Sequence, residues 1–245
     1  MDYVQSQIRR VSRNQMILFG ILGAYFCFIP VSVLGSRNNE GFLGLVLFLS
    51  LIPASCIFFF IRACILRKNY QRSKIYTRLG TYGYGSNEEV SLAIDEEIKN
   101  SVLVNHKKLI VTTNWICIRN AFNLHVRPLA ELIWAYKLVT KTNYSATYYS
   151  AMLVFSDRKE VRYVSVETDV DMLLRFISER NEHTLIGFYQ EWKRLYRYNY
   201  NKFIDLLIQN EQERLKRNGK PPINEEERRN RYLRSYNTAA KKKSG

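Results

Sequence analysis

The side chains that most often do chemistry in proteins are few and scattered in this sequence. None of the cysteines forms a Cys-x-x-Cys pair or another metal-ligand spacing. Two of the three histidines lie close to basic residues, which disfavours a bound cation. The residues concerned are Cys27, Cys56, Cys64, Cys117, His106, His125 and His183. The sequence therefore predicts no metal site and no cofactor. Cys64 is interpreted as an ordinary interfacial thiol, with reversible palmitoylation as the alternative.

Motifs that mark catalytic sites are also absent from the sequence. It contains no P-loop, dinucleotide-binding glycine pattern, nucleophile elbow or zinc-protease motif. Asp95, Glu96 and Glu97 fall in a predicted helix, where consecutive side chains point apart, so we expect a solvated face there. The sequence predicts no catalytic residues and no enzyme. An enzyme whose site is assembled from distant loops stays open as an alternative.

The basic residues are the most informative feature of the composition. The net charge is +15, and residues 62–78 contain six basic and no acidic side chains. These are Arg62, Arg67, Lys68, Arg72, Lys74 and Arg78. Such a segment is attracted to anionic lipid headgroups by about 1 kcal/mol per residue, and we expect these six to contact them. The same charges could instead serve only to orient the chain in a membrane.

Two windows without charged residues, 16–34 and 42–61, lie before this basic segment, and the second ends directly at Arg62. Both reach the length of roughly 20 apolar residues that a membrane-spanning helix requires. The flanking positive charges predict a cell-membrane protein with two spans and both termini in the cytoplasm. Residues 1–15 would then be cytoplasmic and residues 35–41 an external loop. Buried core helices and a cleaved signal peptide are the alternatives.

The rest of the chain predicts an α+β domain on the cytoplasmic side. Residues 62–85 form a basic joint, and residues 86–180 a β-rich domain with a leading and a closing helix. Capping boxes predict that these helices start at Ser86 and Thr168. The strand-rich runs between them favour an antiparallel sheet or small barrel.

Beyond this domain the pattern changes twice. Residues 181–210 predict one aromatic amphipathic helix, and residues 211–245 a basic, flexible tail with a frayed helix in it. The tail could contact nucleic acid phosphates. Acidic residues interrupt it and no recognition motif accompanies it, so nucleic acid is not the expected partner.

One stretch of the domain resembles bacterial pleckstrin-homology-like (PH-like) domains, a family of unknown function. The matching positions are Leu109, Thr112, Trp115 and Ile116, followed by Leu129, Leu132 and Ile133. The resemblance covers roughly residues 101–180, and such domains often follow a pair of N-terminal membrane spans. It implies a PH-like barrel with a binding or scaffold role, and it carries over no ligand-binding residues.

These patterns together predict a membrane-anchored cytoplasmic interaction or scaffold module. It would hold a PH-like domain at an anionic membrane surface and bind a protein partner. The alternative is an accessory subunit of a multi-protein membrane complex. In that case small residues in the spans would contact partner helices. These are Gly20, Gly23, Gly41 and Gly44.

Overall fold

The computed structural model describes residues 2–34, 42–82, 85–106, 108–142 and 146–241. Of residues 27–34, 42–50 and 235–241 it describes the backbone alone. The chain forms two compact units, unit 1 (Met1–Val126) and unit 2 (Arg127–Gly245). Each unit has a hydrophobic core of its own.

Unit 1 is a set of helices followed by a small sheet. Its elements are α1 (Tyr3–Leu34), α2 (Phe42–Lys68), α3 (Tyr76–Leu79), α4 (Asn87–Asn100), β1 (Val104–His106), β2 (Leu109–Val111), β3 (Trp115–Arg119) and β4 (Leu124–Pro128). The four strands follow one another in the sheet in chain order. β1 and β2 pair antiparallel, as do β2 and β3.

The start of α4 confirms the first predicted capping box. The Glu89 N–H donates to Ser86 Oγ at 3.3 Å, and the Ser86 N–H donates to the Glu89 carboxylate at 2.6 Å. Two N–H groups that a helix start leaves unpaired are thereby satisfied. The bond from the Ser86 backbone also lowers the pKa of Glu89.

The core of unit 1 includes the first turns of α1. Val4, Ile8 and Val11 recur at intervals of four and three residues, which places them on one face of a helix. All three are buried, and they belong to the same cluster as Val90 and Ile94 of α4. Residues from the sheet complete it: Trp115, Cys117, Leu124 and Val126. The start of α1 is therefore part of the folded unit.

Unit 2 is an antiparallel sheet followed mainly by helices. Its elements are β5 (Leu132–Lys141), β6 (Thr147–Phe155), β7 (Glu160–Ser165), α5 (Glu167–Arg180), β8 (Leu185–Ile186), α6 (Gln190–Tyr198), α7 (Tyr200–Arg217) and α8 (Glu225–Lys241). The strand order is β7-β6-β5-β8, and β8 alone pairs parallel to its neighbour. The α+β class with antiparallel sheets is thus confirmed.

The core of unit 2 is rich in aromatic side chains. Trp134 of β5 lies at its centre, with ring centroids of Tyr196 and Phe203 at 5.9 and 5.8 Å. Aliphatic residues of α7, among them Ile204 and Leu207, fill the space around the rings. Aromatic pairs at these separations add stabilisation beyond the area that they bury.

Two helix predictions differ from the structure. The N-cap of α5 is Val166, which makes no side-chain cap, so Thr168 does not start the helix. The stretch predicted as one aromatic helix divides into β8, α6 and α7. Gly187, with φ of 109°, ends β8, and the Asn199 side chain accepts from the Lys202 N–H to begin α7. Such local caps outweigh a continuous apolar stripe.

The predicted transmembrane hairpin is contradicted by the structure. Among the described residues, no helix combines the length and the apolar character that crossing a bilayer requires. The multi-pass location and the integral membrane partner that followed from the hairpin are corrected with it. The predicted external loop, residues 35–41, lies outside the described residues.

Candidate functional site

A buried carboxylate fixes the start of α1. The backbone N–H groups of Tyr3 and Val4 donate to Asp95 Oδ1 at 2.7 and 3.3 Å. Asp95 is 5% exposed, and burial raises its pKa while these two bonds oppose the rise. The expectation that Asp95 lies on a solvated face is wrong. Its neighbour Glu97 is also engaged, since it accepts from Thr112 at 2.6 Å.

With one face of α1 in the core, basic residues of the helix line a groove shared with α2. The groove has a volume of about 640 Å³. It is lined by Ser6, Arg9, Arg10, Arg13, Met16, Cys64, Arg67 and Lys68, and it is called the basic groove below. Five of these eight residues are cationic and none is acidic. An arrangement of this kind attracts anions.

Arg9 is the most constrained cation of the basic groove. Its guanidinium carbon lies 5.8 Å from the centre of the Tyr70 ring, a cation–π contact that limits the positions open to the side chain. Its Nε is buried and has no hydrogen-bond partner among the described residues. Buried polar atoms are nearly always hydrogen-bonded in folded proteins, so this nitrogen leaves a donor for a water molecule or an anion.

Two of the basic residues also have a purely structural role. Arg67 and Lys68 lie in the last turn of α2, where cations offset the helix dipole by about 0.3–1 kcal/mol each. This role does not explain Arg9, Arg10 and Arg13, which lie far from the C-terminal end of α1. Stabilisation of a helix end therefore does not explain why all five cations line one groove.

The structure divides the six residues that the sequence assigned to anion contact. Arg67 and Lys68 line the basic groove. The other four are exposed and do not line it: Arg62, Arg72, Lys74 and Arg78. The three arginines of α1 were not predicted as site residues. A signal for them was present in the sequence. When two helices pack antiparallel, basic residues that precede the apolar run of the first helix lie beside basic residues that follow the apolar run of the second.

Apolar side chains of α1 and α2 are exposed next to the basic groove. Ile21 and Tyr25 of α1 are each 65% exposed, and Phe58 of α2 is 62% exposed. Others on the two helices are Ile17, Leu51, Ile57, Phe59, Ile61 and Ile65. Exposed apolar side chains typically mark an interaction surface where they form a contiguous patch.

Unit 2 contains a buried polar cluster around Arg228 of α8. Arg228 donates to Glu211 Oε1 of α7 at 2.6 Å, and Glu211 is 3% exposed. Glu211 Oε2, the Tyr232 hydroxyl and His183 Nε2 are buried without hydrogen-bond partners among the described residues. Burial raises the pKa values of Glu211 and Tyr232. The Arg228–Glu211 ion pair attaches α8 to α7.

His183 belongs to the same cluster and is uncharged at neutral pH. Burial, together with the positive charges of Arg228 and Arg231, lowers its pKa to about 4. The loop that carries it is held by Arg214, which donates to the carbonyl of Thr184 at 3.0 Å.

Metal binding and similarity to known proteins complete the description of the site. The described residues contain no group of three or more His, Cys, Asp and Glu side chains that could hold a metal ion. No curated protein and no solved structure matches the chain, which leaves the PH-like resemblance unconfirmed. One family model does match, over just under half of the chain and on the C-terminal side of the basic groove. Residues 81–196 match the model described as a domain of unknown function, DUF6709.

Proposed function

We propose that this chain is a non-enzymatic interaction module that recognises an anionic partner through the basic groove. The observation that carries the proposal is the grouping of five cations without a carboxylate. None of the five forms an ion pair with another described residue, so their charge is available to a ligand. Hydrogen bonds to charged groups contribute about 1.5–3 kcal/mol each, so three to five of them supply the roughly 8 kcal/mol of micromolar binding.

A PH-like arrangement of residues 101–180 is part of the same proposal. Its support is the order of the elements: strands β1 to β4 in one sheet, β5 to β7 as an antiparallel meander, and then α5. In this chain the proposed anion site lies outside residues 101–180, on the helices that precede them.

The test compares two triple variants of the full-length chain. In the groove variant, Arg9, Arg13 and Arg67 are replaced by Gln. In the matched control, the exposed residues Arg62, Arg72 and Lys74, which do not line the groove, are replaced by Gln.

Both variants lose three positive charges, so they separate a site from diffuse charge. Binding of a panel of mono- and polyanions is measured by titration at two salt concentrations. We expect the groove variant to lose at least about tenfold in affinity and the control to stay within about twofold. Equal losses would reject the groove as the binding site.

A second candidate function is that of a subunit in a multi-protein assembly. It is favoured by the exposed apolar residues of α1 and α2, including Ile21, Tyr25 and Phe58. Burying such a patch against a partner would stabilise the complex by about 25 cal/mol per Å² of apolar surface. Native mass measurement of the protein isolated from its source is the test. A species at the chain mass of 29.0 kDa and nothing heavier would count against it.

A further inference from the structure

We infer that the ligand of the basic groove carries two or more phosphate groups, an inference that rests on the function proposed above. The chemical class is an oligophosphate, either a free molecule or a lipid headgroup with several phosphates. Three features of the groove lead to this class: its size, its charge, and the arrangement of its arginines.

The size of the groove exceeds what a single inorganic ion needs. Its volume of about 640 Å³ falls within the range of roughly 300–1,000 Å³ found for small-molecule sites. At roughly 30 Å³ per water molecule, the space corresponds to about twenty waters. One phosphate ion would leave most of this space filled with solvent.

The charge of the groove also exceeds what one phosphate can balance. Five cations line it without an acidic residue, whereas a phosphate monoester carries about −1.5 to −2 at neutral pH. A single group would thus leave about three positive charges close together and unmatched. Two or three phosphate groups match the total, and each presents three acceptor oxygens.

The positions of the arginines fit phosphates placed along the groove. Arg9 and Arg13 are four residues apart on α1, so they lie on the same face and about 6 Å apart along the axis. Each guanidinium can hold a separate phosphate through two parallel hydrogen bonds. Arg67 and Lys68 of α2 contribute charge from the other helix. Arg9 is preorganised because it lies over Tyr70 and its buried Nε has no partner.

Cys64 provides a direct report of ligand in the groove. It lines the basic groove and is only partly buried, whereas Cys56 and Cys117 are buried. An anion held between α1 and α2 should therefore slow alkylation of Cys64 by a maleimide. Peptide mass spectrometry measures this rate separately from that of the other cysteines.

The experiment uses the full-length chain with four soluble probes: orthophosphate, pyrophosphate, tripolyphosphate and citrate. A vesicle arm compares phosphatidylcholine vesicles with and without a bis-phosphorylated inositol lipid. We expect tripolyphosphate to bind at least about tenfold more tightly than orthophosphate and citrate, and to protect Cys64. Protection by the phosphorylated vesicles alone would identify a lipid headgroup as the source of the same chemistry.

Two variants and one control keep the result interpretable. Arg9→Gln and the more exposed Arg67→Gln should each weaken tripolyphosphate binding about tenfold or more, and Lys74→Gln should change it by less than about twofold. Circular dichroism confirms that each variant is folded. The Arg67 variant decides the outcome if replacement of Arg9 disturbs folding.

The possible failures are distinguishable. If citrate or orthophosphate protects Cys64 as well as tripolyphosphate does, the oligophosphate inference is overturned and the anion-binding function stands. If no anion in solution or on vesicles protects Cys64, both are overturned.

Discussion

Acidification should destabilise unit 2 through one side chain, His183. Its pKa falls from 6.5 to about 4 in the folded chain, chiefly because of burial. A folded state that disfavours the protonated ring binds fewer protons than the unfolded state. The free energy of unfolding is therefore not reduced by His183 above pH 6.5, and it decreases as the pH falls from 6.5 towards 4.

The magnitude follows from the two pKa values of His183. At about 1.4 kcal/mol per pKa unit, the full loss is about 3 kcal/mol once the pH is below 4. At pH 5 roughly 2 kcal/mol of it is already lost relative to pH 7. The positive charges of Arg228 and Arg231 act in the same direction, and hydrogen bonds to the backbone of Leu129 and Ala130 oppose it.

The assay compares the wild-type chain with His183→Gln, which keeps a polar side chain but does not titrate. Unfolding in urea at pH 7 and pH 5 is followed by hydrogen exchange of peptides from residues 132–155. This readout reports on unit 2 alone and avoids assuming that the whole chain unfolds in one step.

The comparison between variants also removes the contribution of Glu131. Its pKa is raised to about 7 by burial, so its protonation stabilises the fold on acidification, with the opposite sign. We expect the wild type to lose about 2 kcal/mol more than His183→Gln between pH 7 and pH 5. Equal losses in the two proteins would show that His183 is not buried as a neutral ring.

Three further substitutions test the contacts that define the two units. Arg228→Met should destabilise unit 2 by about 2 kcal/mol or more in urea unfolding, because it leaves the Glu211 carboxylate buried and unpaired; restored stability on adding Glu211→Leu would confirm the cause. Asp95→Ala should destabilise unit 1 by about 1–2 kcal/mol, measured by exchange of the first amides of α1, whereas the exposed neighbour change Glu96→Ala should have little effect. Ser86→Ala should cost about 1 kcal/mol through loss of the cap, and an unchanged unfolding midpoint would contradict this account of the start of α4.

Local sequence patterns predicted the elements that local interactions determine. The Ser86 capping box involves residues three apart, and both of its hydrogen bonds form as the spacing predicts. The antiparallel pairing of β5, β6 and β7 follows from strand runs separated by short turns. The separation of β8 from the helices that follow it was not predicted, because it depends on β8 pairing with β5, some 50 residues earlier in the chain.

Contacts between distant segments account for what the sequence did not predict. Asp95 was expected to be solvated because consecutive side chains of a helix point apart, yet its carboxylate accepts from backbone N–H groups 91 and 92 residues away. The sequence pattern of α4 does not indicate that the start of α1 binds Asp95. The six predicted contact residues are a second example. They are close together in the sequence, but only two of them line the basic groove.

The basic groove shows why composition alone misassigned the charge. Residues 62–78 contain the largest number of basic residues beside the apolar windows, but only two of the six line the groove. The other cations come from α1, where they had been interpreted only as charges that orient a helix. Burial of Val4, Ile8 and Val11 on one face of α1 leaves its arginines to the side shared with α2. A cation site therefore arises from the packing of the N-terminal turns, and a variant that displaces α1, such as Asp95→Ala, should weaken anion binding without removing a charge from the groove.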